Sequence, residues 1–395
     1  MIRKFTVENF YSIRDKVALN FSIPKNAPPL EAFYENCDGG RYPKVVAVFG
    51  HNASGKTNLV KALAFLKYFT TDSYLLDKDQ DIPVLGFKFC EETKDATSKF
   101  ELEFDAYGEI YLYTLEVKSE GIVRESLKTR LKKATIFTRI GKTIKSPIKE
   151  IAKLSDIFSV KVSLLSFCYH NDIEIAALNS PINAFLNSVS NVTSMGRDNL
   201  TSPLLDKIFS STEKYKLNED IKDQAVQLLS SFDLGLVDIQ FKTKEVIKGD
   251  KAVVETIPFV FHEINGDRQS LFIGQESNGT QSLYVLIFDV LNTLKHGGVA
   301  VIDEIDAYLH SHMLKNFLEL FYDEESNPHG AQLIFTGHAD YIMSYLEKEQ
   351  IILTEKDENC VTDAYFIKDI KGVRRVDNLR EKYHAGAYGG IPVEA

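Results

Sequence analysis

The stretch AVFGHNASGKTNLVKAL, residues 47–63, constrains the fold more than any other part of the chain. The apolar run KVVAVFG ends in a glycine-punctuated turn and passes into apolar residues at helical spacing, a strand–loop–helix pattern. The turn satisfies G-x-x-x-x-G-K-[ST] with Gly50, Gly55, Lys56 and Thr57. In such a loop backbone N–H groups close around phosphate oxygens and the helix N-terminus adds its dipole. The lysine neutralises the outer phosphates, and the hydroxyl reaches a magnesium ion. Asn52, Ala53, Ser54 and Asn58 complete the candidate nucleotide-binding set. The strand feeding the loop is apolar throughout, as expected of one buried on both faces of a sheet.

A phosphate cradle needs chemistry beside it, and the chain supplies candidates only in its last third. GGVAVIDEIDAYLH, residues 297–310, reads as a buried strand ending in Asp303, a carboxylate for the magnesium shared with Thr57. Glu304 follows, placed to take a proton from an attacking water. ESNGTQ, residues 276–281, opens a helix with Ser277, Gly279 and Gln281, where a hydroxyl and bare backbone can meet a phosphate. Taken alone it is a serine-capped helix start. LIFTGHAD, residues 333–340, ends an apolar strand in His338, within reach of a γ-phosphate, although a lone histidine at a strand end is usually structural.

The bulk properties narrow the class without naming a function. At 395 residues the chain holds two or three domains of about 150 residues each. No apolar run approaches the roughly 20 residues of a membrane helix, and MIRKFTVENF interrupts its apolar residues too often for a secretion signal, so a cytoplasmic protein with no membrane partner is expected. Cys37, Cys90, Cys168 and Cys360 are scattered, with no metal-ligand spacing, and read as free buried thiols. Net charge is −10, but the segment 118–153 carries eleven Lys or Arg against three Glu, +8 within an otherwise −18 chain. That segment is either a face for nucleic acid or an acidic partner, or the solvated side of exposed strands.

Patterning along the chain gives the organisation. Alternating runs at Ile2–Glu8 and Val17–Ser22 predict two strands. VLGFKFC, KFELEFDA, IYLYTLEV, IVRESLKTRL and ATIFTRI predict an antiparallel meander. Periodicity turns helical over 149–234, with Asn218 as an N-cap, and strands resume at LVDIQFKTKEV and VVETIPFVFHEI. After that, helix and strand alternate: a helix opening at SNGTQ, the strand GGVAVID, the helix HMLKNFLELFYD, the strand AQLIFTG, the helix YIMSYLE and the strand QIILTE. The expected fold is α/β, a P-loop NTPase core built from both ends of the chain, without the sustained heptads of a long coiled coil. The expected divisions are 1–148 with the P-loop and antiparallel strands, 149–235 as a helical insertion, and 236–395 with the remaining motifs.

The order of the four motifs resembles the ATP-binding cassette (ABC) ATPases, and within them the soluble branch that includes RecF, the OLD nucleases and the SMC proteins. GHNASGKT is similar to that branch's P-loop, SNGTQ to its signature S-x-G-x-Q, VIDEID to Walker B, and IDAYLH to the D-loop with its following turn. His338 falls at the switch histidine. FTVENFYSI and the tail EKYHAGAYGGIP resemble the compact ATPases of bacterial anti-phage systems, including the ATPase subunit of PARIS. The resemblance covers roughly 1–70 and 265–395 and implies an ABC-type head. It further implies ATP and Mg²⁺ bound between two copies of the chain, with Ser277 and Gly279 acting on the partner's nucleotide.

Departures are Glu276 where an apolar residue is usual and TGH at the switch. The glutamine loop has two candidates, Phe87–Glu91 and Ser166–His170, and the histidines of HSH, 310–312, look like a metal pair but fit the D-loop and helix start better. The resemblance leaves three roles open. One is a defence ATPase holding a separately encoded effector, typically a TOPRIM-type nuclease. The second is a RecF-like DNA repair clamp using 118–153, and the third a transporter motor.

Overall fold

The structure is a computed structural model that describes residues 1–390 except 37, 78, 155–158, 194–195, 198–203, 233–234, 249–250 and 310. The chain begins with β1 (Ile2–Glu8), β2 (Val17–Asn20), β3 (Val45–Phe49) and α1 (Lys56–Asp72). A meander follows: β4 (Ser98–Ala106), β5 (Glu109–Lys118), β6 (Gly121–Thr129), β7 (Thr135–Ile140) and β8 (Thr143–Lys145). Helices α2 (Leu164–His170) and α3 (Ala176–Leu186) lead to the short strand β9 (Val189–Ser190), then to α4 (Leu204–Leu217) and α5 (Glu219–Ser231). Three strands, β10 (Leu236–Lys248), β11 (Lys251–Ile264) and β12 (Asp267–Phe272), precede α6 (Asn278–His296) and β13 (Val299–Ile302). The chain continues through α7 (Ser311–Tyr322), β14 (Gln332–Thr336), β15 (Ile351–Lys356), β16 (Thr362–Phe366) and α8 (Leu379–His384).

The central sheet has the order β9-β13-β14-β3-β15-β16, parallel except for β16. β3 lies between β14, where Val45 faces Leu333, and β15, where Phe49 faces Leu353. Its two faces explain its unbroken apolar sequence. Val46 and Val48 point into one buried cluster and Val45, Ala47 and Phe49 into another, as side chains alternate across a strand. The first cluster joins α1, through Leu59, Phe65 and Phe69, to a seven-stranded antiparallel sheet of order β8-β7-β6-β5-β4-β1-β2. The second lies on the far side, where α6 and α7 contribute Tyr284, Ile287, Phe317 and Phe321. Helix α1 is thus enclosed between two sheets, which holds the P-loop at its start rigid. This is an α/β fold with the P-loop strand inside a mostly parallel central sheet, and no long coiled coil is present among the described residues.

Several expectations change. VLGFKFC forms no strand: Val84 and Phe87 are buried, but the backbone is taken up by the turn after β1, Phe87 N–H donating to Asn9 Oδ1 (2.9 Å) and Leu85 O accepting from Tyr11 N–H (2.8 Å). YIMSYLE is a 3₁₀ turn, Asp340–Tyr345, and β12 and β16 are strands that the patterning did not reveal. Asn218 stands at the N-cap of α5, yet its side chain donates back to Lys214 O (2.9 Å) and makes no cap bond. Of the cysteines, Cys168 is buried, Cys90 half-buried and Cys360 exposed; Cys37 and His310 lie outside the described residues. Among the described residues no helix is long and apolar enough to cross a membrane.

The basic segment divides. Arg139 is fully buried and forms part of an internal network rather than a surface. It meets Glu125 at 3.4 Å and donates to the carbonyls of Val162 (2.7 Å) and Gly141 (2.7 Å). Glu125 also accepts from Tyr113 Oη and Ser163 Oγ, 2.9 and 2.8 Å. This ties the meander to the start of α2. Removing one partner of a buried ion pair leaves the other uncompensated. Arg139→Met is therefore expected to lower unfolding free energy by about 3–5 kcal/mol in urea denaturation.

Candidate functional site

The P-loop is shaped by the strands that flank it. Gly50 and Gly55 have φ of 156° and 108°, and a Cβ at Gly55 would fall within the side chain of Thr362. Only glycine tolerates that approach. A directed chain of hydroxyl and amide bonds fixes the loop's far side: Asn58 Nδ2 donates to Ser12 Oγ (2.7 Å), Ser12 bonds Thr362 Oγ1 (2.8 Å), and Thr362 donates to Ser54 O (3.0 Å). Ser54 Oγ lies 2.6 Å from Thr354 Oγ1. At the loop's start His51 N–H donates to Gly390 O (2.9 Å), so the tail that follows α8 closes against the cradle. The side chain of Asn52 and the backbone at Ala53, whose φ is 65°, are exposed.

Lys56 is buried at the base of the loop and donates to the carbonyls of Gly50 (2.8 Å) and His51 (3.1 Å). Burial holds its ammonium below the usual lysine range, and the nearby carboxylates Asp303, Glu304 and Asp306 partly offset that. One turn further along α1, Lys61 is also buried and likewise pushed down by burial, with Asp303 opposing the shift. Its ammonium sits 4.2 Å from the ring centroid of Tyr11.

Three parallel strands end beside these cations, the place where open α/β sheets gather their sites. β13 delivers Asp303, only 1% exposed, whose carboxylate accepts from Thr57 Oγ1 (3.0 Å) and from Thr336 Oγ1 (2.6 Å). Thr336, at the end of β14, accepts in turn from Glu304 N–H (2.8 Å). Glu304 adopts φ 49° and ψ 59°, a left-handed conformation rare for a non-glycine residue and characteristic of functional turns. The 3₁₀ turn Ile305–Ala307 follows, and Asp306 Oδ2 accepts from the backbone N–H of His338 (3.0 Å), leaving the imidazole exposed.

The motif at α6 forms an exposed corner. Ser277 caps α6 by accepting from Thr280 N–H (3.1 Å), and Ser277, Asn278 and Gly279 face solvent. A Cβ at Gly279 would meet nothing closer than Ser277 Oγ at 3.7 Å. Gln281 is buried and its amide braces the turn, donating to Glu276 O (2.7 Å) and Gly274 O (3.2 Å). Glu276 pairs with His262 of β11 at 2.7 Å, which explains why this position carries a charge.

Lys56, Thr57, Asp303, Glu304 and Thr336 thus converge, while Ser277 and Gln281 bond within the turn that opens α6. Neither glutamine-loop candidate is hydrogen-bonded to the cluster: Ser166 donates to Thr71 O, and Phe87 is held by Asn9. Sequence reasoning missed Asn191, directly after β9. Its amide clamps the main chain of Asp303 from both sides, accepting from Asp303 N–H (2.7 Å) and donating to Asp303 O (3.0 Å) and Tyr308 Oη (3.1 Å). No motif surrounds it, so nothing in the sequence marks it. Thr336 stood in plain view as the first residue of TGH, without a signal that its hydroxyl would bridge two acidic positions.

The sequence matches the family described as "AAA domain, putative AbiEii toxin, Type IV TA system" over residues 45–344, from the P-loop strand to beyond His338. The chain belongs to that AAA-domain family. No curated protein matches it. Among solved structures it is similar to an SMC head bound to the C-winged helix domain of ScpA, at 17% identity and TM-score 0.49, covering 92% of this chain and 96% of that one. It is also similar to the SMC head domain from Thermotoga maritima, at 14% identity and TM-score 0.44, covering 92% and 97%. A P-loop ATPase family fits the geometry, in which a phosphate cradle, a paired hydroxyl and carboxylate, and an adjoining acid stand together.

Within this AAA-domain protein, losing the Asn191 amide strands one buried N–H and one buried C=O. Each such group costs about 1–3 kcal/mol. Asn191→Ala is accordingly expected to lower stability by about 2–6 kcal/mol, measured by urea denaturation, with Asn191→Gln failing to restore it because the longer amide cannot keep both bonds.

Proposed function

We propose that the protein binds and hydrolyses ATP between two copies of itself, and that its nucleotide state controls a separately encoded effector in anti-phage defence. The observation that carries the catalytic part is the convergence of Thr57 and Thr336 on the buried carboxylate of Asp303, with Lys56 beneath and Glu304 alongside. Thr57 and Asp303 present the oxygen ligands that Mg²⁺ prefers, and a bound magnesium would supply charge neutralisation across the β- and γ-phosphates. Lys56 exchanges its two loop carbonyls for phosphate oxygens. Glu304 accepts a proton from the water that attacks the γ-phosphorus, the bond to the bridging oxygen breaks, and ADP and phosphate leave. His338, exposed beside Asp306, donates a hydrogen bond from its imidazole to a γ-phosphate oxygen.

Ser277 and Gly279 form an exposed cap away from the cluster, which suits a role in trans on a second copy's nucleotide, in line with the resemblance to ABC ATPases. The parts 1–148 and 236–395 then act as one head, and 149–235 contributes Asn191 from within. The family's description, with its AbiEii toxin and type IV toxin–antitoxin system, favours the defence role. The effector, a TOPRIM-type nuclease in our reading, lies on another chain.

The second reading is a DNA repair clamp. It is favoured by Arg124, Lys142, Lys145, Lys149 and Lys153, which remain exposed after Arg139 is withdrawn into the core. Binding of duplex through that face would weaken steeply as salt rises.

Lys56→Ala is expected to abolish ATP binding in equilibrium dialysis, whereas Glu304→Gln keeps binding and slows turnover by at least about 100-fold. Unchanged hydrolysis in Glu304→Gln refutes the assigned base. Mixing inactive Lys56→Ala with inactive Ser277→Arg should restore part of the activity through heterodimers with one intact site; no recovery at any ratio rules out the shared interface.

A further inference from the structure

A cavity of about 290 Å³ lies between the two sheets, away from the phosphate cradle and used by no step above. Its depth is apolar, built from Leu63 of α1, Phe104 at the end of β4, Phe185 of α3, and Val299 and Val301 of β13. His296 and His329 stand at its mouth, both exposed. Lys67 of α1 reaches it as well, eleven residues beyond Lys56, about 16 Å along the helix at 1.5 Å per residue.

The charges around the cavity are unevenly satisfied. Asp105 lines it but is already committed to Arg3 at 3.1 Å, within a cluster where Arg3 also meets Asp38 at 2.6 Å. Lys67 has no carboxylate within ion-pairing distance among the described residues. An apolar chamber of this size with one unpaired cation at its wall and aromatic rings within it has the character of a small-ligand site. From these features we propose that the cavity binds a small organic anion with a flat apolar body, its acidic group on Lys67 and its body lying against the packed rings of Phe104 and Phe185. The two histidines at the mouth offer further hydrogen bonds to the same acidic group.

The test uses the full chain without nucleotide, so it stands apart from the reading of the ATP site. Two fluorescent probes of the same shape are titrated: 1-anilinonaphthalene-8-sulfonate, which is anionic, and N-phenyl-1-naphthylamine, which is neutral. Both should saturate at one site per chain. Lys67→Gln should weaken the anionic probe about tenfold, the worth of one charge-assisted bond, and leave the neutral probe unchanged. Ala184→Phe, a half-buried position in the cavity wall on α3, should abolish binding of both by filling the space. The proposal is overturned if Lys67→Gln affects the two probes alike, or if Ala184→Phe retains either one.

Discussion

A carboxylate with 1% of its surface exposed is tolerable only where donors and cations surround it, and Asp303 meets that condition through side chains of α1 and β14, while a third part of the chain holds its backbone. Thr57 comes from α1, Thr336 from β14, Asn191 from the end of β9, and the ammonium groups of Lys56 and Lys61 lie close enough to feel its charge. The rest of the head is arranged to bring these groups to one point. The central sheet exists in its observed order because β13, β14 and β3 must end side by side, and α1 is enclosed between sheets because its first turn must not move.

The rigidity has a second layer in small hydroxyls. Ser12, Ser54, Thr354 and Thr362 join the P-loop to β15, β16 and the turn after β1 through short bonds. Each is individually worth about 1 kcal/mol; as a connected set they hold glycine-rich backbone in conformations it would not keep alone. The exposed cap at Ser277 is anchored instead by Gln281 and by the Glu276–His262 pair. The two halves of the proposed site are therefore braced independently.

The P-loop and Asp303 were legible because both obey strong local rules: a glycine-punctuated turn after an apolar strand, and an apolar strand ending in acid. The unbroken apolar run of β3 correctly announced burial on both faces. Asn191 was illegible for the opposite reason. Its role arises from a parallel pairing between β9 and β13 whose partners, Val189 and Ala300, are far apart in sequence and share no local signature. The segment VLGFKFC misled because its alternation serves packing under loops, with its backbone satisfied by Asn9 rather than by a neighbouring strand. Arg139 misled in the same way: charge counted along the chain cannot distinguish a solvated lysine from an arginine sealed beside Glu125.

The placement of β3 also dictates an order of assembly. Its neighbours in the sheet, β14 and β15, are made nearly 300 residues later, with Val45 facing Leu333. During synthesis the nucleotide loop therefore emerges long before the strands that give it shape, and closing so long a loop is slow. The antiparallel meander, whose strands pair with their immediate successors, can form first. A nascent chain would thus carry the P-loop sequence for most of its synthesis without a working cradle, so nucleotide reports on completion of the head rather than guiding its early folding.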